Sequence, residues 1–289
     1  MRIVTPSPTE LFDVVDRKER RKARQIYRSR RCASYHCDVG NVSAALLCTL
    51  PLLAAPAIAS TAEHHWAYSG TRGPSHWSLL EPDYRLCGIG KAQSPIDLVT
   101  ASMRVRDLPP LAFKYVSDTV RVVDNGHTIQ VGVSSGSDFR VENARYSLVQ
   151  FHFHRPSEET VDGRPFPMSV HFVHADSEGH LAVVAVLIEA GAPNDAFDKL
   201  WRMLLSQKHD QTGTQGVPID PAELLPTDGG YYAYSGSLTT PPCSQNVRWF
   251  ILKTPVTLSI DQISKFASIY PHNARPVQPL NGRVVVSTR

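Results

Sequence analysis

Hydrophobic positions between residues 119 and 252 fall into short runs, some alternating with polar residues and some uninterrupted, with turn-forming residues between them. Residues 119–123 and 128–133 flank Asp124-Asn125-Gly126-His127. An Asn-Gly pair between two β-rich runs predicts a hairpin, because both residues tolerate positive φ. Residues 146–154, 168–174, 181–189 and 247–252 read as further strands. The last two are apolar on both faces, as strands buried inside a sheet are. A helical period appears in two places. Residues 194–206 put Phe197, Leu200, Trp201 and Leu204 on one face, and residues 260–269 follow Ser259 with Gln262 three positions on, a capping-box pairing. The 22 prolines and 17 glycines suit long connecting loops. This is the pattern of a sheet-dominated protein with small peripheral helices. No repeat of 20–50 residues and no Ser/Gly-rich linker divides residues 63–289, so they read as one domain.

The first 62 residues break the pattern. Residues 1–41 carry ten Lys or Arg against five Asp or Glu, and residues 42–62 carry no charge. Residues 43–59 form an apolar stretch closing on Ala57-Ile58-Ala59, with Ser60-Thr61-Ala62 behind it. A basic region, a short apolar core and a small-residue A-x-A site are the parts of a secretory signal peptide. A membrane anchor fits less well, since the stretch is short and is broken by Pro51 and Pro56. Residues 1–62 are therefore expected to be a basic leader plus a cleaved signal peptide. Residues 63–289 are then a periplasmic or secreted domain with no stable membrane anchor after cleavage.

Charge and cysteine content support that division. Subtracting the +5 of residues 1–41 from the chain's net +3 leaves −2 for residues 63–289. A nearly neutral body offers nucleic acid no basic surface. No strongly apolar run of 18 residues follows residue 62, which excludes a multispanning membrane protein. Of five cysteines only Cys87 and Cys243 survive cleavage. Two cysteines in an exported chain invite one disulfide; two buried thiols are the alternative.

Chemistry enters with three of the twelve histidines. In Phe151-His152-Phe153-His154, strand alternation puts both histidines on one face and both phenylalanines on the other. His171 lies on a second strand, with His174 opposite. If the strands are neighbours, His152, His154 and His171 converge. Three neutral imidazoles with no thiolate leave a tetrahedral zinc one open position, which is a catalytic rather than a structural arrangement. A His-x-His pair by itself is often surface or core decoration. Cupin metalloproteins also use His-x-His with a following Glu, as His152, His154 and Glu158 would allow. Position 146 is Tyr where cupins usually have Gly, and no second cupin motif is present.

Wider context decides among these. Gln93-Ser94-Pro95-Ile96-Asp97, Asn125-Gly126-His127, Gln150-Phe151-His152-Phe153-His154, Val170-His171-Phe172-Val173-His174 and Ser237-Leu238-Thr239-Thr240-Pro241-Pro242 occur in that order. Together they resemble the α-class carbonic anhydrases. His65-Trp66-x-Tyr68, Gly73-Pro74-x-His76-Trp77 and the segment from Asn273 to Leu280 extend the resemblance over residues 64–285. Arg155-Pro156 after the second histidine and the short stretch before His171 are similar to the exported bacterial type.

The resemblance implies a mainly β fold: a large twisted, mostly antiparallel central sheet of about ten strands with short peripheral helices. It implies zinc held by His152, His154 and His171, with carbon dioxide, water and bicarbonate as the small molecules handled. Thr239 matches the threonine that accepts a hydrogen bond from the attacking oxygen, and Glu158 the carboxylate that takes that threonine's proton. His127 matches the proton shuttle, with Tyr68, Asn125 and Gln130 along its water chain. Val173, Val183, Leu238, Val247 and Trp249 match the apolar wall that holds carbon dioxide, with Thr240 beside Thr239 on the substrate side. Cys87 and Cys243 match a disulfide pair. Gln150 matches the partner of His152. Many members have Glu two residues before the third ligand; here Ser169 stands there, a weaker acceptor expected to alter zinc retention. The implied activity is reversible hydration of carbon dioxide by a monomer or homodimer. An inactive, carbonic-anhydrase-like binding protein is the alternative, although this chain keeps all three histidines.

Overall fold

The computed structural model describes residues 66–134, 136–206 and 218–289. The expected leader, the apolar stretch with its expected cleavage site, Cys32, Cys37, Cys48 and His65 lie outside the described residues. Eleven strands form one sheet: β1 (Arg104–Val105), β2 (Ala112–Lys114), β3 (Arg121–Asp124), β4 (Ile129–Gly132), β5 (Asp138–Val141), β6 (Ala144–His154), β7 (Met168–Ala175), β8 (Leu181–Ala190), β9 (Tyr231–Ser237), β10 (Gln245–Leu258) and β11 (Val286–Ser287). The order across the sheet is β1-β11-β9-β10-β8-β7-β6-β4-β3, and β5 pairs with β6 and with β2. Neighbours are antiparallel except β8 beside β10 and β11 beside β1. The mainly β, mostly antiparallel expectation holds, with parallel pairs making the sheet mixed. No helix among the described residues is long and apolar enough to cross a membrane.

The uninterrupted apolar runs lie at the middle of the sheet. Every residue from Ala182 to Ile188 in β8 is buried, because both faces of that strand are covered. On one face Phe151, Phe153, Val170, Phe172, Val184 and Val186 pack beneath two helices. Helix Asp195–Ser206 contributes Phe197, Leu200 and Trp201, and helix Ile260–Ala267 contributes Phe266. The Ser259–Gln262 capping box starts the second helix, which stops two residues short of the predicted end. On the other face Ile96, Leu98, Val183, Ala185, Val247, Trp249 and Ile251 form a smaller cluster.

Three departures have physical causes. The run at 119–123 is divided: Asp118–Thr119 pairs with Pro218–Ile219 in a separate small sheet, and only Arg121–Asp124 joins the main one. The hairpin between β3 and β4 has a longer connection than a two-residue turn, with Asp124 opposite Ile129. Gly126 takes the positive φ of 81°. Asn125 contributes its side chain instead, Oδ1 accepting the N–H groups of His127 at 3.0 Å and Thr128 at 2.9 Å. Strand β9 shows little apolar alternation toward its end, where Gly236 and Ser237 pack against Ser94. A Cβ on Gly236 would stand 2.1 Å from Ser94 Oγ, so only glycine permits that approach. Ser94 N–H donates to Ser237 Oγ at 2.9 Å, and Ser237 N–H to Ser94 Oγ at 3.1 Å. Cys87 and Cys243 are joined by a disulfide, packed against Trp77.

Candidate metal centre

The pairing of β6 with β7 sets His171 directly opposite His152, and Ser169 opposite His154. Side-chain alternation then turns all three histidines to one face. Their ring centroids are 4.9 Å (His152–His154), 5.5 Å (His152–His171) and 4.5 Å (His154–His171) apart. One nitrogen from each lies within 4.8 Å of the others, the only such group among the described residues.

The remaining nitrogen of each ring has an acceptor of its own. His152 Nδ1 donates to Gln150 Oε1 at 2.9 Å, and His154 Nδ1 to the Asn273 carbonyl at 2.8 Å. His171 is turned the other way, with Nε2 3.2 Å from Glu159 Oε2 and 3.5 Å from Ser169 Oγ. The weak acceptor expected at His171 is thus not alone; a carboxylate is nearer. Burial, and then His171, pushes the His152 imidazole down to about 3, and burial also holds His154 well below the usual range. Burial pushes His171 down too, but Glu159 and then Glu158 outweigh it and its pKa is raised. His154 Nε2 is buried with no hydrogen-bond partner. A neutral imidazole nitrogen left bare in a cluster of three is the donor set of a zinc ion with an open position, so the residues present fit that metal.

Glu158 stands beside this cluster. Its Oε1 accepts the Arg275 N–H at 2.8 Å, which anchors the carboxylate through the backbone. Its Oε2 lies 3.5 Å from His154 Nε2 and 3.8 Å from His171 Nδ1. Burial raises Glu158 to about 7; His171 pulls against that, and a hydrogen bond with the Thr239 side chain lowers it further. Thr239 is buried on the loop after β9. That loop is closed by Leu238 N–H donating to the Ser244 carbonyl and Cys243 N–H to the Thr240 carbonyl, and is tied down by the disulfide. Val183, Val247 and Trp249, with Val173 and Leu238 packed on them, form one apolar cluster. It begins at the histidines, since the Trp249 ring lies 5.1 Å from that of His171. Trp249 Nε1 donates to the Ser237 carbonyl at 3.0 Å, which fixes the ring.

His127 lies partly buried in the β3–β4 connection, its ring stacked on Trp66 at 3.6 Å with planes 5° apart. Tyr68 meets it edge-on at 6.5 Å. Burial and then the charge on Glu158 hold the Tyr68 phenol well above its usual pKa, so it stays protonated. Asn125 Nδ2 donates to Gln130 Oε1 at 3.3 Å.

Sequence reasoning missed the roles of Asn273, Glu159 and Trp66. Asn273 is fully buried and holds two elements at once. Its carbonyl serves His154, its Nδ2 donates to the carbonyls of His127 at 3.0 Å and Phe153 at 2.9 Å, and its Oδ1 accepts Arg155 N–H at 2.7 Å. The acidic doublet Glu158-Glu159 was the available signal for the second residue.

A family model described as eukaryotic-type carbonic anhydrase matches residues 72–289. A carbonic anhydrase of Pectobacterium atrosepticum is 44% identical over 223 residues, covering 77% of this chain and 90% of that protein. One from Nostoc sp. is 41% identical over 236 residues, covering 80% of this chain and 88% of that one. Among solved structures, the α-carbonic anhydrase of Thermovibrio ammonificans in complex with the inhibitor sulfanilamide is similar with a TM-score of 0.71 at 44% identity, covering 77% of this chain and 98% of that chain. Because the match runs through every strand of the sheet and on to the last residue, the chain belongs to the eukaryotic-type, or α-class, carbonic anhydrase family.

Proposed function

We propose that His152, His154 and His171 hold the zinc on which this chain hydrates carbon dioxide to bicarbonate and a proton. The carrying observation is the set of acceptors: each imidazole turns one nitrogen to the shared point and gives the other to a separate oxygen. When bound, zinc supplies Lewis acidity that lowers the pKa of water to about 7.

Thr239 orients the attacking oxygen. With Glu158 accepting from it, the Thr239 hydroxyl has no proton left to offer and can only accept from that oxygen, which aims a lone pair at carbon dioxide. The Thr239 N–H is then available to a bicarbonate oxygen. Val173, Val183, Leu238, Val247 and Trp249 hold carbon dioxide by apolar contact, with Thr240 at the edge. Such a wall binds a neutral, nonpolar molecule and gives a charged product little reason to stay. His127 takes the proton at a ring nitrogen and passes it to buffer, a relay for which an imidazole is the suited side chain near neutral pH. Stacking on Trp66 gives the ring a defined resting place. Tyr68, Asn125 and Gln130 line the approach. The disulfide and the bacterial relatives support export, and we place the mature domain, residues 63–289, in the periplasm or outside the cell as a monomer or homodimer.

Zinc content and stopped-flow hydration of carbon dioxide, measured on one preparation of residues 63–289, test the reading. One zinc per chain with hydration is expected. A histidine-to-alanine variant at position 152, 154 or 171 that keeps both zinc and activity would remove that residue from the ligand set.

A further inference from the structure

The three histidines do not receive equivalent support. His152 gives its spare nitrogen to an amide oxygen and His154 to a backbone carbonyl, both neutral. His171 gives its Nε2 to Glu159, a carboxylate with no solvent exposure at all. The other Glu159 oxygen, Oε1, is buried with no hydrogen-bond partner. Burying a carboxylate in that way is costly unless a positive group compensates it. The charge of a metal ion, felt through the imidazole ring, is such a compensation. The neighbouring Glu158 faces the same ring from the metal side, at Nδ1, while Glu159 faces it at Nε2. Ser169, on β7 two residues before His171, reaches the same Nε2 from 3.5 Å.

We propose that Glu159 is the positioning residue of His171, taking the place of a carboxylate at position 169 and supplying the anionic acceptor from the segment after β6 instead of from β7. The inference rests on the ligand set proposed above. An ionised carboxylate can only accept, so Nε2 must carry the hydrogen and Nδ1 is left bare for the metal. The negative charge strengthens His171 as a donor, an effect that Gln150 and the Asn273 carbonyl do not provide to the other two rings. The Ser169 side chain is small because the space at Nε2 is already taken: both groups point at one nitrogen, and both are fully buried.

The test is zinc release from the loaded full-length mature domain to excess chelator, in Glu159→Ala, Glu159→Gln, Ser169→Glu and the double variant Glu159→Ala/Ser169→Glu. Glu159→Ala is expected to release zinc about 10- to 100-fold faster, the usual range for loss of a ligand's hydrogen-bond partner. Glu159→Gln keeps shape and an acceptor but not charge, and falls between; being nearly isosteric, it also serves if the alanine variant does not fold. Ser169→Glu alone crowds an occupied nitrogen and does not slow release. In the Glu159→Ala background it restores retention toward the wild-type rate, which a merely structural role for Glu159 would not produce. Wild-type release rates in both Glu159 variants would overturn the inference. So would a Ser169→Glu benefit of equal size with and without Glu159. His171→Ala is the control: if it keeps zinc, the ligand assignment fails, whereas if it loses zinc while the Glu159 variants do not, only the role of Glu159 fails.

Discussion

On one face of β6 and β7, Phe151, Phe153, Val170 and Phe172 are buried among other apolar side chains; on the other, His152, His154, Ser169 and His171 occupy the alternate positions of the same two strands. The two faces share a backbone and a register but are stabilised differently. The first needs volume and little direction: Phe153 touches Phe197, Trp201 and Phe266 at ring separations of 5.0, 5.6 and 6.2 Å. The second needs direction at every atom, because a buried imidazole with an unpaired N–H loses more than packing can return. Hence its partners come one by one from three different segments: Gln150 from the same strand, Glu159 from the following segment and Asn273 from near the C-terminus. Damage to the apolar face should lower stability and leave each folded molecule competent; damage to the polar face should do the reverse.

The strongest way to break the contrast is His154→Ala. It removes a proposed ligand and leaves the apolar face intact. Zinc and hydration should be lost together, beyond the roughly 10- to 100-fold typical of partner changes, while circular dichroism stays native. Metal analysis and stopped-flow assay check this. Next is reduction of the Cys87–Cys243 disulfide, which spans 156 residues of sequence and anchors the Thr239 loop from outside the sheet. Chain-entropy arguments give up to about 5 kcal/mol for such a loop, so the melting temperature should fall with zinc still bound. Two titratable thiols before any reductant is added would contradict that expectation. Phe153→Ala, at a side chain with no exposure, should cost about 3–5 kcal/mol in denaturant melts, with zinc per folded chain unchanged.

Smaller effects sharpen the comparison. His127→Ala should lower kcat about 100-fold in dilute buffer, the lower end of the range for positioned proton-transfer groups, with kcat/KM nearly unchanged. Imidazole buffer should restore kcat. An equal fall in both constants without rescue would make His127 a structural residue. Met168→Leu, a volume-conserving change on the buried apolar face, should cost less than about 1.5 kcal/mol and leave zinc release alone.

How far the sequence could be read follows from the same contrast. Alternation along 151–154 separates Phe from His without any knowledge of neighbours, and one register then brings His171 opposite His152. Motif resemblance could supply Thr239, Glu158 and the disulfide because those residues keep their places in the family pattern. Glu159 was not legible: it lies in an irregular segment, where no period tells which way a side chain points. Asn273 stands in one of the matching motifs, but its hydrogen bonds join segments more than a hundred residues apart, which a motif does not reveal. Strand β9 was missed because serine and glycine there are selected by contact with Ser94, which hydrophobic pattern does not register.

The Asn273 contacts also have a consequence for the timing of biosynthesis. His154 precedes its acceptor by 119 residues, and Glu158 precedes the Arg275 N–H that anchors it by 117. Chains emerge from the ribosome N-terminus first. A nascent polypeptide ending before residue 273 therefore carries all three histidines and nothing to aim the second of them. His154 is therefore oriented only once residue 273 has been made, and a stop codon at or shortly before that position would disturb the histidine cluster although it deletes none of the three histidines.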